Sequence, residues 1–222
     1  MIQLLLIFCT VVFAQEADHL LLTRIVTQPD KAESFSIYNP TDASINLNNY
    51  YVCDDEEYYK IQTDEEMAPS NIASGFTAKF PNIFINPGDT FHIILHENYN
   101  EFYGENFIPD LIMYGSEDNS MLETETEPFS SFGGAEDKIN DTAEMLILFN
   151  WDGNLSNPIK DVDYFLWGNT QNAIDKSAIS GYQSDTSAND QLFFEGVAAQ
   201  YYAYSRISTD EVNEIQNDGN GI

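Results

Sequence analysis

Residues 33–41 read Glu33-Ser34-Phe35-Ser36-Ile37-Tyr38-Asn39-Pro40-Thr41, and this stretch decides how the rest of the chain is read. Its first half alternates in the period-2 manner of a strand with one buried face, so Phe35 and Tyr38 point to opposite sides and only one of them enters a core. Its second half is a corner. Asn39 precedes a proline and is pushed to an extended conformation, and Pro40 then fixes the turn.

The same alternation of short apolar or aromatic runs with turn chemistry extends in both directions. Strands are expected at 19–26, 34–38, 50–53, 58–63, 91–96, 145–149 and 162–167. Between them lie Pro29-Asp30, Asn39-Pro40-Thr41-Asp42, Asn86-Pro87-Gly88-Asp89 and Asp152-Gly153-Asn154. Only residues 99–107 suggest a short helix. Seven short strands without a long 3.6-period segment imply an all-β sandwich. Composition agrees: 15 Phe, 13 Tyr and 2 Trp in 222 residues supply enough buried area for a packed body despite 37 acidic residues against 8 basic ones. A formal charge of −29 leaves little cationic surface for phosphates, which argues against nucleic acid and anionic membranes as partners.

Residues 1–14, MIQLLLIFCTVVFA, are uncharged, with an apolar run from Leu4 to Phe13 that is too short for a stable membrane anchor. They read as a signal peptide cleaved before Gln15, after Val12-Phe13-Ala14. The expected location is therefore extracellular or at the cell surface, and no later segment is apolar enough to act as a transmembrane segment. Cleavage leaves the whole −29 on the remaining residues, with Cys53 as their single thiol. One thiol cannot form an internal disulfide, and a strand at Tyr50-Tyr51-Val52-Cys53 predicts that it is buried.

Taken in order, these motifs resemble a lamin tail domain of the secreted bacterial type. The resemblance rests on the strand from His19 to Val26, the Glu33 to Thr41 corner, and Ile45-Asn46-Leu47-Asn48-Asn49-Tyr50. It continues through Ile85-Asn86-Pro87-Gly88-Asp89, then Phe102-Tyr103-Gly104 with Pro109-Asp110. A closing hairpin of 145–153 and 162–168 completes it. It covers roughly residues 19–168 and implies an immunoglobulin-like β-sandwich over 15–168 that carries an acidic loop insertion near 115–134. Residues 169–222 form a C-terminal extension, in which Tyr201-Tyr202-Ala203-Tyr204-Ser205-Arg206-Ile207 resembles a strand of secreted members. Because no closing strand follows Asn217-Asp218-Gly219-Asn220, a truncated chain is expected.

No catalytic constellation stands out. No serine occupies a G-x-S-x-G frame, and no Walker or dinucleotide loop is present. On one strand face, His92 and His96 would lie about 13 Å apart, too far to share a metal. They are expected on the solvated side with Ile94, while Phe91, Ile93 and Leu95 point inward. Calcium is the cation to consider, because hard oxygen ligands cluster on turns. The candidates are Asp152, Asn154, Asp161 and Asp163 in one group and Asn217, Asp218 and Asn220 in another, with Asp54-Asp55-Glu56-Glu57 as a further acidic run. None completes a known loop, and a solvated acidic surface that keeps the protein soluble is the favoured account of them. Tyr58, Tyr59, Tyr201, Tyr202 and Tyr204 are of the type that stacks on sugar rings or packs in sheets.

The expectation is a secreted, non-catalytic module for adhesion or tethering at the cell surface or matrix. Its partner would be a surface protein, a matrix protein or a polysaccharide, with no cofactor beyond a structural calcium. The alternative is a secreted hydrolase that uses carboxylates in the acidic loops with calcium.

Overall fold

The computed structural model describes residues 15–63, 75–113, 119–124, 131–132, 138–182 and 184–211. The expected signal peptide, most of the acidic insertion, and Asn217, Asp218 and Asn220 lie outside the described residues. The strands in chain order are β1 (Gln15–Glu16), β2 (Leu21–Val26), β3 (Ser34–Tyr38), β4 (Ile45–Asn46), β5 (Tyr50–Cys53), β6 (Thr77–Lys79) and β7 (Phe84–Ile85). They continue with β8 (Thr90–Ile94), β9 (Leu111–Ile112), β10 (Leu122–Glu123), β11 (Glu144–Asn150), β12 (Lys160–Trp167), β13 (Tyr204–Ser205) and β14 (Asp210–Glu211). The short helix α1 (Asn100–Tyr103) separates β8 from β9.

Two five-stranded sheets carry the all-β sandwich expected from the sequence. The first runs β13-β2-β3-β8-β9 and the second β10-β6-β5-β11-β12, while β1-β14 and β4-β7 form two small ribbons. Every pairing between these strands is antiparallel except β8 with β9. Between the sheets lie Phe35, Ile37 and Ile93 of the first and Val52, Leu146, Leu148 and Trp167 of the second. Phe35 is thus the inward residue of its strand, and Tyr38 is half-buried.

The two corners that the sequence singles out hold one another. The buried Asn39 side chain donates to the carbonyls of Ala43 and Ile85, and its oxygen accepts from the Thr41 amide and hydroxyl. The Asn39 amide donates to Asp89 and the Gly88 amide returns a bond to Asn39, with Gly88 at φ +76°, where glycine fits without strain. At the end of β12, Gly168 is required for space as well as for φ. A Cβ there would stand 2.2 Å from the Thr142 carbonyl oxygen.

A register shift in β2 between Leu22 and Arg24 allows both Leu22 and Ile25 to reach the core, and so the apolar run does not alternate. A second shift, between Leu148 and Phe149 of β11, opposes three residues of β12 to two. Beyond it Asp163, Phe165 and Trp167 share the inner side, and Asp161 falls on the outer side with Tyr164 and Leu166.

Two expectations need correction. Residues 58–63 form a 3-10 helix, Tyr58–Thr63, in place of a strand. It carries Tyr58 onto the outer face of the second sheet against Phe149, with ring centroids 5.0 Å apart. Ile94 and His96 are buried and not solvated, whereas His92 is exposed. The cause is α1. The Tyr103 hydroxyl contacts Ser34 Oγ and donates to the Ala32 carbonyl, so the helix lies over the end of the face where Ser34 pairs with Ile94.

The extension after Gly168 covers the outer face of the second sheet. Ala173 and Ile174, with Tyr182, Ala188 and Phe193 at the margin, pack on Tyr51, Cys53, Met145, Ile147, Phe149, Tyr164 and Leu166 as a second core. Gln191 fastens it, donating to the carbonyls of Ile174 and Thr186 while accepting from the Tyr164 hydroxyl. Strand β11 is therefore buried on both faces, which is why Met145 to Phe149 is apolar without interruption. Cys53 is buried in this layer beside Thr77, and burial holds its thiol well above the ordinary range.

Candidate functional site

The candidate calcium ligands are not brought together. Asp152 and Asn154 serve the β11–β12 hairpin itself: Asp152 accepts from the Asn154 amide and the Asn157 side chain, and Asn154 accepts from the Ser156 amide. Those bonds hold the Asp152 carboxyl below its usual range. Asp161 and Asp163 point to opposite sides of β12 because of the register shift between them. Asp163 enters the sandwich, where the Arg206 guanidinium reaches both of its oxygens at 2.7 and 2.8 Å, with the Leu22 and Tyr164 amides also donating. Burial nevertheless keeps its carboxyl above the usual range. Asp161 faces the second core and meets Lys176 and Tyr58. Among the described residues no group of three or more His, Cys, Asp or Glu side chains is arranged to hold a metal ion.

The two histidines are engaged separately. His92 Nδ1 bonds Ser36 Oγ at 2.9 Å, and His96 Nδ1 accepts from the Asn98 amide at 3.0 Å.

Carboxylates with perturbed protonation gather where β5 ends and β11 begins. Burial, reinforced by the Glu144 charge, pushes Asp54 well above the usual range although it accepts from the Phe76 amide. Burial raises Asp55 to about 6 and Glu144 to about 7, the latter while accepting from Asn172 at 2.6 Å. The sequence flagged the Asp54 to Glu57 run. Glu144 gave no local signal, since only strand pairing brings it beside residues almost ninety positions away.

The most accessible constellation is aromatic. Of the five tyrosines singled out by sequence, Tyr58 and Tyr204 are buried and Tyr59 is half-buried, whereas Tyr201 and Tyr202 are 65% and 69% exposed. Tyr201 lies parallel to Phe102 of α1, with ring centroids 5.7 Å apart and planes 5° from parallel. Phe102 is itself 37% exposed and backs edge-on against Tyr103, which stacks on Phe107. The Tyr201 backbone has φ +75°, a left-handed conformation that costs free energy in any residue other than glycine and recurs at binding sites.

This conformation is clamped from both sides. The Tyr201 amide donates to Gln28, whose side chain donates to Ala198. The Tyr204 hydroxyl, anchored under Phe165 and Trp167, donates to Gly196 and accepts from Ala198. Lys31, in a 3-10 turn over Asp30–Ala32, pairs with Glu101 of α1. Sequence reasoning missed Phe102, because its nearness to Tyr201 depends on strands β2 and β13 meeting at one edge.

No family model and no curated protein matches the chain. Among solved structures it is similar to a DUF4876 family protein from Bacteroides thetaiotaomicron, at 14% identity and a TM-score of 0.36 over 61% of this chain. The matched region is 43% of that protein, so the chain spans less than half of its length.

Proposed function

We propose that the protein is an exported, non-catalytic module that tethers to a polysaccharide of the cell surface or matrix through Phe102, Tyr201 and Tyr202. The observation that carries this reading is the pair of parallel, exposed rings held by a clamped, left-handed backbone. Flat aromatic faces suit the C–H faces of pyranose rings, and an ordered platform loses little entropy on binding. The charge of −29 selects against polyanionic polymers and favours neutral ones. Export is supported by the leader-like residues 1–14 and by the motifs that resemble secreted lamin tail domains.

The test is retention of the protein on a panel of insoluble neutral polysaccharides and on intact cells. Replacing Tyr201 and Tyr202 together with alanine is expected to lower retention at least tenfold, at about 1 kcal/mol or more per ring, without changing the melting temperature. Equal retention of the variant would remove the platform from this role. Recovery of a protein in place of a glycan would redirect the reading to a surface protein.

A second reading, a carboxylate hydrolase, is favoured by Asp55 and Glu144, which hold protons near neutral pH as a general acid must. It predicts turnover of a polysaccharide, phosphodiester or peptide that Glu144→Gln abolishes. Absence of turnover across such a panel, with and without calcium, would dispose of it.

A further inference from the structure

Lys176 is 2% exposed at its side chain and lies between two carboxylates that are equally hidden, Asp161 at 4% and Asp185 at 0%. Its Nζ stands 2.6 Å from Asp161 Oδ2 and 3.1 Å from Asp185 Oδ2. The walls are aromatic, with the Tyr58 and Tyr182 rings 5.7 and 5.9 Å from the nitrogen. Asp161 Oδ1 accepts from the buried Tyr58 hydroxyl. Asp185 Oδ2 also accepts from the Lys176 amide at 2.7 Å, while its buried Oδ1 has no hydrogen-bond partner among the described residues.

As a stabilising device this arrangement is poor. It removes three charged groups from water, leaves one negative charge in excess, and orphans an oxygen. As a reaction centre it is well composed: a nucleophile in contact with a carboxyl group, a donor on the oxygen that must accept charge, a second carboxyl group to carry protons, and side chains that are almost wholly enclosed.

We propose that Lys176 and Asp161 condense to an intramolecular isopeptide bond, with Tyr58 polarising the Asp161 carboxyl and Asp185 moving the protons. The Lys176 ammonium passes one proton to Asp185. The freed Nζ lone pair attacks Asp161 Cγ, and the charge that develops on Oδ1 is held by the Tyr58 hydroxyl. The Cγ–Oδ2 bond then breaks, and Oδ2 leaves as water with the proton returned by Asp185 and one from the nitrogen. Ammonium plus carboxylate become amide plus water, so no oxidant is needed and the net charge is unchanged. Burial holds the Asp185 carboxyl above its usual range, which suits it to accept and return a proton. The bond would join β12 to the extension that covers it, cross-linking the second core where no disulfide is available.

The experiment is mass spectrometry of the purified full chain, intact and after denaturing digestion. The expected result is an intact mass lower by one water than the sequence requires. Cleavage at Phe165 and Trp167, between the two residues, should leave the Asp161 and Lys176 peptides joined. Lys176→Arg is expected to restore the uncondensed mass, and Asp185→Asn to slow or abolish linkage while both reacting groups remain. An uncondensed mass for the folded wild type overturns the proposal, whether or not either variant folds. A cross-link that maps to Asp185 in place of Asp161 overturns the assignment of roles.

Discussion

Replacing Arg206 with alanine is expected to destabilise the protein by about 3–5 kcal/mol, the cost of removing one partner from a buried ion pair. Asp163 is wholly enclosed, and the guanidinium satisfies both of its oxygens while its Nε donates to the Leu22 carbonyl. Without Arg206 the carboxylate keeps the Leu22 and Tyr164 amides but loses its counter-charge, and it must take up a proton or draw in water. The contact also closes the fold, because β13 leads directly into Arg206 and pairs with β2 at Ile25 and Arg24. Chemical denaturation of the variant should show a lowered midpoint with little change in slope. The double variant Asp163→Asn with Arg206→Met should recover much of the loss, since no buried charge then remains. If the single variant loses less than about 1 kcal/mol, the pair behaves like an exposed one and the closing role is wrong.

Stability is also expected to fall as the pH rises from about 4 to about 7.5. The folded protein holds the Glu144 proton to about 7 and the Asp55 proton to about 6, against ordinary values of 4.5 and 3.8, and Asp54 is shifted in the same direction. The native state therefore binds more protons than the unfolded chain across this window. Its stabilisation is complete below the unfolded values and is lost as pH rises through the folded ones. For Glu144 alone the effect is about 3 kcal/mol, and for Asp55 it is somewhat smaller because its carboxyl is shifted less. Melting temperatures measured at fixed ionic strength should decline over that interval, and Glu144→Gln should flatten the slope. A melting temperature that rises from pH 4.5 to 7 would show that the carboxyl groups are solvated in the native state.

The parts of the fold visible in the residue order are those whose cause is local. The alternation of Phe35 and Ile37 against Ser36, and the Asn39-Pro40 and Pro87-Gly88 corners, depend on backbone preferences within a few residues. The short helix near Phe102 has a similarly local cause. Residues 58–63 are rich in Tyr, Ile and Thr, which favour strands, yet they form a 3-10 helix that buries Tyr58 against Phe149 on the outer face of β11. The candidate site was half legible. Tyr201, Tyr202 and Tyr204 stand together in the sequence as tyrosines that stack on sugars or pack in sheets, but Tyr204 is core and the other two are exposed, and nothing local separates them.

The sequence by itself determined an all-β chain with its principal corners, the opposition of Phe35 to Tyr38, a buried Cys53 and a net charge of −29, because period-2 patterning and turn chemistry act at short range. Only the tertiary structure decided what the charged and aromatic residues do. One extra residue in β12 reverses side-chain parity, sending Asp163 to Arg206 and Asp161 to Lys176 although they are two positions apart. A segment that follows Gly168 supplies the second face of β11, and α1 brings Phe102 to Tyr201. Such partners are set by which distant surfaces must exclude water together, and that is a property of the packed chain that no short window of residues contains.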